Sequence, residues 1–368
     1  MRQCLKTSRG KRKLTVFDRY YENGASWRKE LPDDHHHVSH YIDRLMIQSF
    51  VFNDGKLVAS NLDSDALRLV RADKGLLIWV NLFAPTAEET TSILEDVFSF
   101  HPLAIEDCLS VSRYPKIEDY EDYLFLVMHA VAFNKEEQFR TTELDFFIGK
   151  SFLVTHHSEP LATVTSTIER IQKNPASITR GMDRLAHFLL DTMVDAYQPV
   201  LNDLTREIGT LEDTVFLSRD PEPTVIREFR ERKKELSGLQ QIVRPQRDVV
   251  NRLARGEFKL IRPVLLPYFR DLLGNLNRID TTAASLADQL YMTLDVFLNK
   301  ASYETNEVIK ILTLLTAVTT PSLLIGTWYG MNLKMPEYQM EHAYPIALAV
   351  DFITTVGIVA WLRYKRWF

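Results

Sequence analysis

Residues 311–333, ILTLLTAVTTPSLLIGTWYGMNL, run for 23 positions without a charged side chain. That exceeds the roughly 20 residues an α-helix needs to cross a hydrocarbon core. A second apolar stretch, Ala343–Leu362 (AYPIALAVDFITTVGIVAWL), is broken by one charge, Asp351. The pair predicts two membrane spans joined by a tight loop, which puts both ends of the hairpin on one side. Arg363, Lys365 and Arg366 follow the second span with Trp361 and Trp367 at interface height, whereas the loop sets one lysine against Glu337 and Glu341. Positive charge concentrates on the cytoplasmic side, so both termini are expected there, in the cytoplasmic (inner) membrane.

Working back from the first span, Tyr268 to Thr320 contains no proline and one glycine, Gly274. One very long helix is the simplest reading. Carried to Met331 it measures ~96 Å at ~1.5 Å per residue, which suits a stalk entering a bilayer better than the core helix of a compact domain. Leu272, Leu276, Ile279, Ala283, Leu286, Leu290, Leu294, Phe297 and Ala301 keep a four-three spacing with one slip, the pattern of a seam between identical neighbours.

The rest of the chain is of another character. Over all 368 residues the charged share is 25% and the net charge −5 with both signs interspersed, and no basic patch with interleaved aromatics offers itself to nucleic acid. Cys4 and Cys108 stand far apart, outside any metal-ligand spacing, and fit a reducing compartment. The basic N-terminus has no apolar run behind it, so no signal peptide is expected. Residues 1–45 form a polar tail ending in Asp33, Asp34, His35, His36, His37 and His40, read as mobile surface. Over 46–160, β-type runs (IQSFVF, LLIWVNL, DYLFLVMHAVAF, LDFFIG, SFLVTHH) alternate with helical stretches and predict a cytoplasmic α/β domain. Residues 161–262 turn helical, with Tyr197, Leu201, Leu204, Ile208, Leu211 and Val215 on one face and a break at 220–223, which predicts a helical hairpin. The stalk follows at 263–310, then the first span at 311–332, the loop at 333–344, the second span at 345–362 and a basic tail at 363–368.

Two helices cannot enclose an aqueous path, so conduction requires several copies of the chain. Thr313, Thr316, Thr320 and Thr327 fall on one face of the first span, in line with Asn306 and Ile309 below. Threonines in membrane helices also satisfy themselves on their own backbone; four in register favour a pore lining.

The outer end of the first span reads Tyr329-Gly330-Met331-Asn332, followed by Met335-Pro336-Glu337 and Tyr344-Pro345, after a helix containing Thr305-Asn306-Glu307-Val308. Here the chain resembles the CorA family of magnesium and cobalt transport proteins, marked by Gly-Met-Asn at this place in a two-span C-terminus. The likeness extends to His101-Pro102-Leu103, Glu106-Asp107, Pro115-Lys116 and Pro267–Asp271, and covers most of the chain after about residue 45.

The resemblance implies a funnel-shaped homopentamer: an α/β cytoplasmic N-terminal domain, a long helical stalk and two C-terminal transmembrane helices, the first lining the pore. It implies a selectivity filter at Gly330, Met331 and Asn332, whose neutral oxygens grip hydrated Mg²⁺ rather than strip it. Pore lining and gate fall to Asn306, Ile309, Leu312, Thr313, Thr316, Thr320, Leu323 and Thr327, although a polar residue is expected at Leu323 and a methionine is common at Thr320. Glu337 and Glu341 in the loop concentrate cations. Glu106, Asp107 and Asp271 would bind regulatory Mg²⁺ between subunits and hold the pore closed, with Asn275 a neutral neighbour; unbridged, such carboxylates repel. Asp351 departs from the family's apolar pattern and is expected to play a structural part, about 9 Å below the external end, with Trp328 or Thr327 as donors. The function implied is Mg²⁺ transport across the membrane, with Co²⁺ and Ni²⁺ as further cargo. A zinc or other transition-metal transporter of the same superfamily is the near alternative, prompted by the histidine-rich tail and His342. A membrane-anchored enzyme is the distant one, for which no phosphate loop, nucleophile elbow or HExxH motif is present.

Overall fold

The computed structural model describes residues 47–110, 114–133, 139–177, 180–217, 224–331, 336 and 340–365. The histidine-rich tail therefore lies outside the described residues. Seven strands, β1 (Ile47–Asn53), β2 (Lys56–Ser60), β3 (Leu77–Phe83), β4 (Lys116–Asp119), β5 (Tyr123–Phe133), β6 (Phe139–Gly149) and β7 (Phe152–His157), form one sheet in the order β2-β1-β3-β7-β6-β5-β4. The β3–β7 pair is parallel and the other neighbours are antiparallel. All five apolar runs read from sequence are strands. Two short strands, β2 (KLVAS) and β4 (KIED), do not stand out as runs, because the first has three apolar residues and the second one.

Helices α1 (Ser64–Ala72), α2 (Ala87–Thr91, continued by a π-helix over Ser92–Val97) and α3 (Pro102–Leu109) cover one face of the sheet. Leu67, Ile93, Leu94, Val97, Ala104, Ile105 and Cys108 from these helices pack with Ile78, Val80, Leu82, Phe125, Val127, Phe147 and Val154. α3 starts where Pro102 occupies its first turn and His101 Nδ1 accepts from the Leu103 amide at 3.2 Å. The other face meets α5 (Met182–Asp195), which touches β3, β5, β6 and β7 and packs against α4 (Ala162–Lys173). The sheet layer thus includes two helices that periodicity alone assigns to the helical region.

α6 (Tyr197–Leu217) and α7 (Thr224–Ala254) follow. Arg232 on α7 pairs with Glu207 on α6. A fully buried chain of polar groups ties the two helices to the sheet: Gln246 Nε2 donates to Tyr197 Oη at 2.8 Å, and Tyr197 donates to the His129 carbonyl at 2.6 Å. Such groups are tolerated inside because each has a partner.

α8 is the single long helix, Leu266–Tyr329, 64 residues. Its entry is clamped: Asp183, 5% exposed in the first turn of α5, accepts from Arg262 Nε at 2.7 Å and Nη2 at 2.6 Å. A Cβ at Gly181 would stand 2.1 Å from that guanidinium, so only glycine admits the contact.

The expected seam between identical neighbours is corrected by burial. Leu272, Leu276, Ile279, Ala283, Leu286, Leu290 and Phe297 are all 6% exposed or less within one chain. Arg244 and Arg247 of α7 each reach Asp280 of α8 at 3.0 Å. Those seven positions of the stripe are therefore intramolecular core, while Leu294 and Ala301 are half-buried. The contacts divide the chain into two units, one built on the sheet and helices to Leu211 with Thr224–Gln289, the other on Glu212–Pro223 and Leu290 onward.

Candidate functional site

In the second unit, α8 from Leu290 is joined by α9 (Ala343–Tyr364), and these two helices are long and apolar enough to cross a membrane. Their apolar side chains are exposed almost throughout, among them Ile311, Leu315, Leu324, Ile346, Phe352 and Ile353. Surface of that kind is stable only against lipid or a neighbouring subunit. Pro321 sits inside α8 and removes one backbone donor, which a membrane helix accommodates.

Asn306, Ile309, Leu312, Thr313, Thr316, Thr320, Leu323 and Thr327 are all exposed on α8. The less exposed residues Leu314, Ala317 and Pro321 each follow a threonine of the rail by one position, so the rail lies about 100° around the helix from them. Each threonine donates to its own backbone: Thr313 to Ile309 O at 2.7 Å, Thr316 to Leu312 O at 2.9 Å, Thr320 to Thr316 O at 2.6 Å and Thr327 to Leu323 O at 2.5 Å. The self-satisfied arrangement and the outward rail therefore coexist. With the proton committed, the lone pairs of each hydroxyl remain, and the rail is a line of acceptors. A hydrated cation turns its water protons outward, and acceptors are what that surface needs.

The helix ends at Gly330, whose amide donates to Gly326 O at 2.9 Å. A Cβ here would lie 3.0 Å from that same carbonyl, so the tight exit favours glycine. Met331 and Glu341 are exposed, and Asn332 and Glu337 lie outside the described residues.

Asp351 is partnered by Ser322, not by Trp328 or Thr327. Ser322 Oγ lies 2.9 Å from both Asp351 oxygens, and the Thr327 hydroxyl is turned to its own helix. The reason is register. α9 begins at Ala343 rather than Pro345, so Asp351 lies eight residues, ~12 Å, from the helix start. Ser322 lies eight residues before Gly330, at the matching depth on α8.

The acids expected to regulate sit in the first unit. Glu106 is exposed on α3, and Asp107 beside it pairs with Lys116, which also reaches Glu118 at 3.0 Å. Partial burial disfavours the Lys116 ammonium, but the hydrogen bonds it donates to Asp107 and Glu118, with their charges, outweigh this and hold its pKa above the ordinary range. Asp271 is exposed on α8, and Asn275 accepts from Arg278 at 3.3 Å. Sequence reading missed the acids around Asp271. Burial holds Asp191 of α5 above the usual carboxylate range; His187 opposes this, and the Asp195 and Asp271 carboxylates add to it. Asp191 and Asp195 stand four apart on α5, a spacing that marks one helix face but not what faces it. The donor set is all oxygen and suits a hard cation. No convergence of Glu106 and Asp107 with Asp271 occurs within the chain; among the described residues the ligating side chains that do converge are Cys108, Asp145 and His156.

Residues 74–366 match the sequence model of the family described as CorA-like Mg²⁺ transporter protein. The cobalt/magnesium transport protein CorA of Thermotoga maritima is 31% identical over 299 residues, covering 80% of this chain and 84% of its own. The protein of the same description from Methanocaldococcus jannaschii is 24% identical over 321 residues, 86% of this chain and 98% of its own. The complete structure of the M. jannaschii CorA magnesium transporter superposes with a TM-score of 0.72 at 21% identity, over 87% of this chain and 98% of that one.

Proposed function

Because this chain belongs to the CorA-like Mg²⁺ transporter family, a membrane family of divalent-metal transporters, we propose that it conducts hydrated Mg²⁺ through a homopentameric channel in the cytoplasmic membrane, with both termini cytoplasmic. The observation that carries this reading is the threonine rail, exposed along an apolar helix and presenting hydroxyl lone pairs. Mg²⁺ dehydrates reluctantly, and a path of neutral acceptors holds its water shell weakly enough for release. Gly330, Met331 and Asn332 would form the filter at the outer mouth, with Glu337 and Glu341 raising the local cation concentration. Ile309, Leu312 and Leu323 are the apolar rings that would close the path by dewetting, below which Asn306 is polar. Co²⁺ and Ni²⁺, of similar hydrated size, are expected to pass.

Internal Mg²⁺ would close the channel by bridging Asp107 and Glu106 of one subunit to Asp271 of the next. Lys116 already neutralises part of Asp107 in this chain, so bridging requires that ammonium to share its carboxylate. Asp191 and Asp195 enlarge the acidic surface around Asp271 and make its unbridged state more repulsive.

The test is metal uptake by proteoliposomes holding the purified chain, comparing Mg²⁺, Co²⁺, Ni²⁺ and Zn²⁺ with and without a pH gradient. Saturable Mg²⁺ uptake independent of the pH gradient is expected. Zn²⁺ uptake without Mg²⁺ uptake would select the transition-metal transporter instead, and uptake only with a pH gradient would replace the channel by a coupled carrier.

A further inference from the structure

The register of the sheet sets residues of five strands in one row: Lys116 opposes Val127, Val127 opposes Asp145, Asp145 opposes His156 and His156 opposes Leu82. Paired residues point to one face, here the face covered by α3. Val127 and Leu82 belong to the apolar core there, and Cys108 of α3 comes down beside Asp145 and His156. A sulfur, a carboxylate oxygen and an imidazole nitrogen, one from each residue, all lie within 4.8 Å of one another. Asp145 is 1% exposed, Cys108 5% and His156 9%. Asp145 Oδ2 meets His156 Nδ1 at 3.0 Å, while its Oδ1, fully buried, has no hydrogen-bond partner. A buried carboxylate oxygen left without a partner is costly, and native interiors fill such places with a donor, a water or an ion.

We propose that Cys108, Asp145 and His156 form a binding site for a borderline transition-metal ion, Zn²⁺ or Co²⁺, held within each subunit and separate from the transported ion. One sulfur, one oxygen and one nitrogen are three of the four ligands of a tetrahedral zinc site, and a bond length of ~2.0–2.3 Å sets neighbouring ligand atoms roughly 3.3–3.8 Å apart. Closing from a spacing of at most 4.8 Å to that distance is the rearrangement binding requires. Glu143, two residues before Asp145 on the same strand face, is close enough for its charge to act on both Cys108 and His156, and it or a water takes the fourth position. Binding displaces the thiol proton to solvent and the sulfur lone pair goes to the metal. Mg²⁺ is excluded by chemistry: it requires octahedral oxygen ligands and has no affinity for sulfur.

Electrostatics agree with the geometry. Burial raises the Asp145 carboxyl to about 7, opposed by the neighbouring Glu143 and Cys108 side chains, and burial together with the Asp145 charge holds the Cys108 thiol well above its ordinary value. A dication at this point reverses both penalties. The site would also fasten α3 to the sheet one residue from Asp107, yet it stands whether or not the chain conducts Mg²⁺.

The experiment uses the full chain in detergent, carrying Cys4→Ser so that Cys108 is its one remaining thiol. Co²⁺ is titrated and the thiolate-to-cobalt charge-transfer absorption followed, then Zn²⁺ and Mg²⁺ are added in competition. The expected result is a band that saturates at one Co²⁺ per chain, is removed by Zn²⁺ and withstands a large excess of Mg²⁺. Cys108→Ser should abolish it, and His156→Ala or Asp145→Asn should weaken Co²⁺ binding at least tenfold. As a second readout that needs no cobalt, Zn²⁺ should raise the Tm of the parent chain and leave that of Cys108→Ser unmoved. Absence of the band with no Zn²⁺ effect on Tm overturns the proposal, as does a band that survives in Cys108→Ser.

Discussion

The contact between Ser322 and Asp351 joins the two spans by one hydroxyl, and its removal is a measurable test of their arrangement. The single Ser322 proton is shared between two carboxyl oxygens at 2.9 Å each, so it counts as one hydrogen bond rather than two. Interhelical hydrogen bonds in membranes average ~0.6 and reach ~1.7 kcal/mol by double-mutant cycles, because the separated helices find other partners. Here the freed Ser322 hydroxyl can turn to its own backbone, as Thr316, Thr320 and Thr327 do. The freed Asp351 cannot do the same without exposing a carboxyl to hydrocarbon. Coupling of about 1 kcal/mol per chain is therefore expected, and about five times that in a pentamer. The assay is the unfolding free energy in mixed detergent of Ser322→Ala, Asp351→Leu and the double variant, since each single change must remove the bond, with Mg²⁺ flux measured on each and on Asp351→Asn. Asp351→Asn keeps an acceptor at the same place and should conduct and select as the parent does; Ser322→Ala should lose about 1 kcal/mol and keep its flux. A coupling of zero within error would refute the pairing of the spans at this depth. A changed ion preference in Asp351→Asn would put the carboxylate in the permeation path.

Asn332→Ala should abolish Mg²⁺ uptake while the oligomer survives on size exclusion, because the amide ring that would hold the hydrated ion is lost; parental uptake would disprove the filter. Asp107→Asn and Asp271→Asn should each raise the internal Mg²⁺ needed for half-inhibition about tenfold, the factor for a lost contact of ~1.4 kcal/mol, and an unchanged inhibition curve in both would remove these acids from the sensor. Asp183→Ala leaves the Arg262 guanidinium without its carboxylate at the entry to the long helix. Arg262 is nearly half exposed and water compensates in part, so the expected loss is about 2–3 kcal/mol, at or below the low end for a broken buried pair, read as a fall in the denaturation midpoint of the first unit.

What sequence makes legible depends on whether the physics is local. The 311–333 run is decided by its own composition, since no partner is needed to make 23 uncharged residues unstable in water. The five strands likewise declare themselves because both faces of the sheet are buried and their residues read as continuous apolar runs. The seam from Leu272 to Phe297 is a different case: spacing states that a helix face is buried and is silent on what buries it. The same stripe serves a coiled coil between subunits or a core within one, and here α7, carrying Arg244 and Arg247 to Asp280, supplies the intramolecular answer. Register is a further step removed. Ser322 and Asp351 meet because each lies eight residues from its end of the turn, and a shift of two residues in where α9 begins is enough to point to Trp328 instead. Cys108, Asp145 and His156 come from α3, β6 and β7, and no spacing motif relates them. Only the pairing of Asp145 with His156 across β6 and β7, with α3 laid over that row, makes them neighbours. A metal site assembled by sheet register leaves no mark in the one-dimensional pattern except that its two strand members interrupt apolar runs. Asp145 does so in LDFFIG and His156 in SFLVTHH, and a titratable residue that a buried strand retains at the cost of desolvation is the signal by which such a site can be sought.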